Sequence, residues 1–106
     1  ILKRRILGVP KTVLKKYGAV SEECALCMAK GAKKKGKTDV SISITGIAGP
    51  GGGSSEKPVG LVYIGIGLPK NRFHIHRFVF PGNRERIRER AVYQAFELLR
   101  KYLNEK

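Results

Sequence analysis

The stretch from Val40 to Gly60, VSISITGIAGPGGGSSEKPVG, decides how this chain folds. Val40, Ile42 and Ile44 alternate with Ser41, Ser43 and Thr45, the period-two pattern of a strand with one bulky face and one face of small hydroxyls. Thr45 therefore stands at the strand's carboxyl end, where the nine residues TGIAGPGGG continue as a loop. Glycine-rich backbone approaches a bound group closely and leaves N–H donors free for phosphate or carbonyl oxygen. Thr45, Gly46, Gly49 and Gly51 are thus candidate ligand contacts, at the strand end where open α/β sheets collect their ligands. A flexible linker is the other reading of a glycine run. It is weakened here because Thr-Gly-Ile-Ala-Gly-Pro is neither repetitive nor padded with serine.

On the N-terminal side, Pro10 opens a predicted helix that ends near Gly18, and Ser21 caps a second that runs from about Glu22 into the lysines. On the C-terminal side, 61–66 and 73–80 read as two strands separated by a hairpin loop over 67–72. Ile87, Ala91, Ala95, Leu98, Leu99 and Tyr102 then recur at three and four, which marks the buried face of a terminal helix with Asn83 as its N-cap. This order of elements predicts an α/β layered fold in one domain, residues 1–106.

With 22 basic and 8 acidic residues the net charge is +14, which attracts polyanions. Lys33-Lys34-Lys35-Gly36-Lys37 and Lys3-Arg4-Arg5 are the candidate patches for nucleic acid. Aromatic residues are not interleaved with them in the manner of RNA-binding sheets, and no helix-turn-helix or zinc pattern occurs. The lysine run closes a helix, where cations meet the negative end of the dipole and solvent. That solvated face is the preferred account, and a nucleic-acid module the alternative. No run of eighteen apolar residues is present, so no membrane span is predicted and a cytoplasmic protein is the default.

Cys24 and Cys27 form a C-x-x-C without a second pair, inside an apolar stretch. Core cysteines fit better than a zinc or redox site. His74 and His76 share a strand face, yet no third ligand stands near them in sequence. No metal and no cofactor is expected.

The glycine loop, Glu56-Lys57-Pro58-Val59-Gly60, Leu7-Gly8-Val9, Tyr17-Gly18-Ala19-Val20-Ser21 and Phe80-Pro81-Gly82-Asn83-Arg84 stand in an order that closely resembles the CinA C-terminal family. Members of that family are nicotinamide mononucleotide deamidases with a three-layer α/β/α arrangement. The resemblance implies that Ile1 falls inside the family's domain. A first strand, the helix bearing the nucleophilic serine in a Ser-Cys-Thr-Gly-Gly type motif, and a Tyr-Ser-Asn triplet would then precede it. The family's lysine, five residues before the glycine of Leu-Gly-Val, falls on Lys3, which would be the general base. Thr45 and Gly46 would contact the reacting group or the ribose phosphate, and Arg84 would supply a guanidinium at a helix N-terminus for phosphate or carboxylate. The expected activity is hydrolysis of nicotinamide mononucleotide to nicotinic acid mononucleotide and ammonia, with a basic nucleic-acid module or a catalytically incomplete nucleotide-binding domain as alternatives. The open sheet edge left by this segment favours self-association.

Overall fold

The computed structural model describes residues 20–46 and 58–104. They form helix α1 (Glu22–Gly36), strands β1 (Ser41–Gly46), β2 (Leu61–Leu68) and β3 (Arg72–Val79), and helix α2 (Arg84–Asn104). The strands make an antiparallel sheet in the order β1-β2-β3. The helix expected from Pro10 and most of the glycine loop, with Gly49 and Gly51, lie outside the described residues, as does Lys3.

Each helix begins where its sequence supplies a side-chain acceptor. Ser21 Oγ accepts from the Cys24 N–H at 3.1 Å, and Asn83 Oδ1 accepts from the Arg86 N–H at 2.9 Å. Both satisfy donors that a helix start leaves without intrahelical partners. Lys37, in the left-handed region at φ 52°, ends α1 by donating its N–H back to the Lys33 and Lys34 carbonyls.

The sheet is covered on both faces, and the two faces are built differently. Val62, Ile64, Ile66 and Leu68 of β2 meet Ile87, Ala91, Ala95 and Leu98 of α2 in the main apolar core, with Val40, Ile42, Ile44, Phe78 and Phe80 packed around them. The opposite face carries almost no bulk where α1 lies on it. Ser41 and Ser43 pair across the strands with Gly67 and Gly65, and their hydroxyls donate to the Ala29 and Ala25 carbonyls of α1, each at 2.8 Å.

The spacing explains the fit. Two residues of strand advance about 6.7 Å and four residues of helix about 6.0 Å, so hydroxyls at 41 and 43 meet carbonyls at 29 and 25 in step. The helix therefore runs antiparallel to β1. Small α1 residues, Ala25 and Ala29, let its backbone come down onto the sheet, and both are fully buried.

Of the two faces of β1, the hydroxyl face is the more deeply buried: Ser43 is 4% and Thr45 2% exposed, whereas Ile42 and Ile44 are half-buried. The hairpin strands also run further toward each other than the sequence suggests. Gly67 and Leu68 belong to β2 and Arg72 to β3, leaving Pro69-Lys70-Asn71 as the turn, with Lys70 at φ 65° and Asn71 at φ 56°. Cys24 is buried and Cys27 half-buried, and neither is in a disulfide among the described residues.

The far end of α2 is tied to β3 through Tyr102. Its ring stacks on His74 with centroids 4.2 Å apart, and its hydroxyl lies 2.6 Å from His76 Nε2. Burial first, then the neighbouring His74 and Lys101, lower the His76 pKa from its ordinary 6.5. The unfolded chain therefore takes up the proton first as pH falls. The stability this contributes is present above about 6.5 and is lost as pH drops from there toward the lower folded-state value. Thermal melting at pH 7.5 and 5.5 is expected to show the acid decline, and His76→Gln to flatten it. An unchanged decline in the variant would remove His76 as its source.

Candidate functional site

One end of the sheet gathers the polar, glycine-marked segments. β1 finishes there with Thr45-Gly46 and β2 starts there at Leu61, paired with Val79 at the end of β3. The antiparallel path of α1 brings its N-cap, Ser21, to the same end. Because the described strands are antiparallel throughout, the carboxyl-end rule for parallel sheets is not what makes this end special. It is set instead by the chain reversals that converge on it.

Two of those reversals are locked together. The Phe80 N–H donates to the Gly60 carbonyl at 2.9 Å, and Gly60 sits at φ +93° with any Cβ there driven into the Phe80 carbonyl. Only glycine accepts this conformation and this approach without strain. The lock fixes how Phe80-Pro81-Gly82-Asn83 leaves the sheet. It thereby fixes where α2 begins.

Arg84 and Glu85 are exposed in the first turn of that helix. Unpaired N–H groups and a guanidinium at a helix start favour a phosphate or carboxylate. Gly46 lines a cleft of about 170 Å³ with Ile44, Val62, Ile87, Arg88 and Ala91. The floor is apolar strand and helix, and Arg88, exposed one turn beyond Arg84, is the cation beside it. A side chain at Gly46 would strike the Leu61 carbonyl and Val62, so this rim stays open only with glycine.

The structure thus brings Thr45, Gly46 and Arg84 to one end of the sheet, but on different faces. Thr45 points to the α1 side and is 2% exposed, while Gly46 and the start of α2 belong to the other. Arg88 stands in a run of alternating charges with Glu85, Arg86, Glu89 and Arg90. Its spacing of four from Arg84 was the signal that the two arginines share one side of the helix. Among the described residues no group of three or more histidine, cysteine or acidic side chains is placed to hold a metal. No helix among them is long and apolar enough to cross a membrane.

The arrangement is a three-layer α/β domain with a glycine-dependent rim at one end of an antiparallel sheet. The chain belongs to the CinA C-terminal domain family, matching its pattern over residues 1–103. It is 51% identical over 98 residues to a CinA-like protein of Leptospira biflexa, and 52% identical over 103 residues to a CinA-like protein of Thermotoga maritima. These alignments cover 92% and 96% of this chain but 24% of each relative, so the chain spans about a quarter of their length.

Among solved structures it is similar to the competence/damage inducible protein CihA from Agrobacterium tumefaciens, with a TM-score of 0.90 and 41% identity over 97% of this chain and 62% of that one. The CinA superfamily protein of Escherichia coli superposes with a TM-score of 0.85 at 38% identity, covering 92% of this chain and 56% of its own.

Proposed function

We propose that this domain belongs to an amidohydrolase that converts nicotinamide mononucleotide and water to nicotinic acid mononucleotide and ammonia. The observation that carries the reading is the convergence of Thr45-Gly46 with the Asn83-capped start of α2 at one sheet end, in a chain of the CinA C-terminal family. Breaking the carboxamide C–N bond needs a nucleophile, a group to take its proton, and donors for the oxyanion that develops. The nucleophile on this reading is the serine that the family resemblance implies, which is not one of the serines of this chain; it would attack the carbonyl carbon, and Lys3 would accept its proton and return it to the departing ammonia. Water then releases the acid. Gly46 and the loop glycines Gly49 and Gly51 offer backbone N–H groups to the substrate, and Arg84, with Arg88 beside it, holds the phosphate. Thr45, buried on the α1 side, holds the end of β1 next to Gly46.

The test is ammonia release from nicotinamide mononucleotide by the protein at its natural length, with nicotinic acid mononucleotide formed in equal amount. Arg84→Ala is expected to raise KM roughly 10-fold with kcat little changed, the signature of a lost charge-assisted contact made equally in ground and transition states. A well-folded protein that releases no ammonia would end the amidohydrolase reading.

A further inference from the structure

At the opposite end of the sheet, the fold supplies what the lysine run lacks in the sequence. Because α1 runs antiparallel to β1, its lysine-rich C-terminal half lies beside the β2–β3 turn. There a cleft of about 860 Å³ is lined by Lys30, Lys33, Lys34, Thr38, Asn71 and Phe73. Among the described residues that line it, none is a carboxylate.

Phe73 arrives from the start of β3, and the ammonium groups of Lys30 and Lys33 stand 5.7 Å and 5.2 Å from its ring centroid. Lys33 also donates to the Leu68 carbonyl, which anchors its stem at the cleft wall. Gly67 keeps this wall low, since a Cβ there would run into the Phe73 ring and Ser41. Lys30 and Lys34 are exposed, and the exposed Lys37, Asp39 and Lys70 neighbour the lining residues Thr38 and Asn71 in sequence.

A positively charged groove containing an aromatic face is the combination that binds single strands without base readout, through phosphate contacts and stacking. We propose that this cleft binds a single-stranded nucleic-acid segment, with phosphates on Lys30, Lys33 and Lys34 and a base against Phe73. A phosphate that draws the exposed Lys30 outward uncovers the ring for the base, while Lys33 stays on the Leu68 carbonyl and turns its remaining N–H donors to the phosphate. A duplex does not fit the same features, because neither α1 nor the hairpin is presented as a groove-reading element. An acidic peptide offers the anions but no flat π surface to the ring. The proposal stands independently of the amidohydrolase reading, since it concerns the other end of the sheet.

The experiment is a fluorescence-anisotropy titration of a fluorescein-labelled twelve-nucleotide oligodeoxythymidylate with the full chain. About three phosphate contacts on a single strand give a log–log salt slope near −2. Binding is then expected to weaken roughly 20-fold between 50 and 200 mM salt. Lys30→Glu/Lys34→Glu, at two exposed positions that the fold does not need, is expected to weaken binding at least about 10-fold. Phe73→Leu is expected to cost about fivefold, as a stacked base lost from an otherwise apolar position. The charge-matched pair Arg86→Glu/Arg90→Glu on α2 is expected to stay within about twofold of wild type.

Equal losses in the two charge-reversal pairs would overturn the site, since net charge alone would then explain binding. Competition by tripolyphosphate or polyglutamate as strong per charge as by unlabelled oligonucleotide, with Phe73→Leu unaffected, would overturn the single-strand assignment. No binding at 50 mM salt would overturn both.

Discussion

Gly65→Val is expected to destabilise the domain by roughly 3 kcal/mol or more, enough to remove a large part of the ~5–15 kcal/mol that a domain of this size possesses. The reason lies in how α1 meets the sheet. A Cβ at position 65 would stand 2.5 Å from Ser43 Oγ, 3.0 Å from the Ala25 carbonyl oxygen and 3.1 Å from Ile75 Cδ1. The serine hydroxyl could rotate away only by giving up its 2.8 Å bond to the same Ala25 carbonyl, leaving a buried polar group without its acceptor. The carbonyl belongs to helix backbone and moves only with the helix. Valine adds two methyl groups to that collision, and its intrinsic preference for strands, within about 1 kcal/mol, is too small to offset it.

Urea denaturation of wild type, Gly65→Ala, Ser43→Ala and the double variant separates the contributions. If the hydroxyl is the first obstacle, Ser43→Ala/Gly65→Ala should lose less than the sum of the single losses. A Gly65→Val protein as stable as wild type would mean that α1 does not rest on the sheet at this distance.

That contact shows where the sequence was readable and where it was not. The alternation from Val40 to Thr45 identified β1 because a period of two survives whichever face is buried. It did not say which face goes deeper, since serine beside isoleucine is ordinarily the outward choice. The answer lies in residues distant along the chain: Ala25 and Ala29 make α1 slim, Gly65 and Gly67 empty the neighbouring strand, and the serines then find helix carbonyls in register.

Gly67 was read as the start of a loop for a related reason. A glycine suggests a turn when only local conformation is considered, whereas here it is a strand residue that leaves room for the Phe73 ring. The buried stripe of α2 was legible because Ile87, Ala91, Ala95 and Leu98 recur at three and four and face one core, although Val92, Tyr93 and Phe96 on the same helix are exposed. Asn83 was legible as a cap because its chemistry acts within one turn.

The candidate site was legible in its parts and not in its assembly. Thr45-Gly46 and Arg84 each stood out by motif, but their joint placement depends on the Gly60–Phe80 lock, a pairing of residues twenty positions apart that no local pattern encodes. Arg88 was hidden among alternating charges for the same reason: only the packing of α2 across the end of β1 puts it beside Gly46. The lysine run was read as a solvated helix end while Phe73 was invisible to it, and the hairpin brings the two together.

Lys3→Ala is expected to lower kcat for ammonia release roughly 100- to 10,000-fold, the range associated with a positioned general base. On the proposed mechanism the serine hydroxyl is a weak nucleophile until a neighbouring group accepts its proton, and a lysine can do so only as the neutral amine. Lys3→Arg therefore separates charge from proton transfer. A guanidinium keeps the positive charge but does not give up its proton in the working range, so it should fail as completely as alanine.

Substrate affinity should survive in both variants, because the phosphate contacts assigned to Arg84 and the loop are untouched. KM would then stay within a few-fold of wild type while kcat collapses. The pH dependence adds a second discriminator. Wild-type kcat should rise with pH as the amine form becomes populated, and the residual rate of Lys3→Ala should lose that rise. Folded variants that keep wild-type kcat would show that Lys3 is only one cation in a basic run, and the proton acceptor would have to be sought elsewhere in the domain.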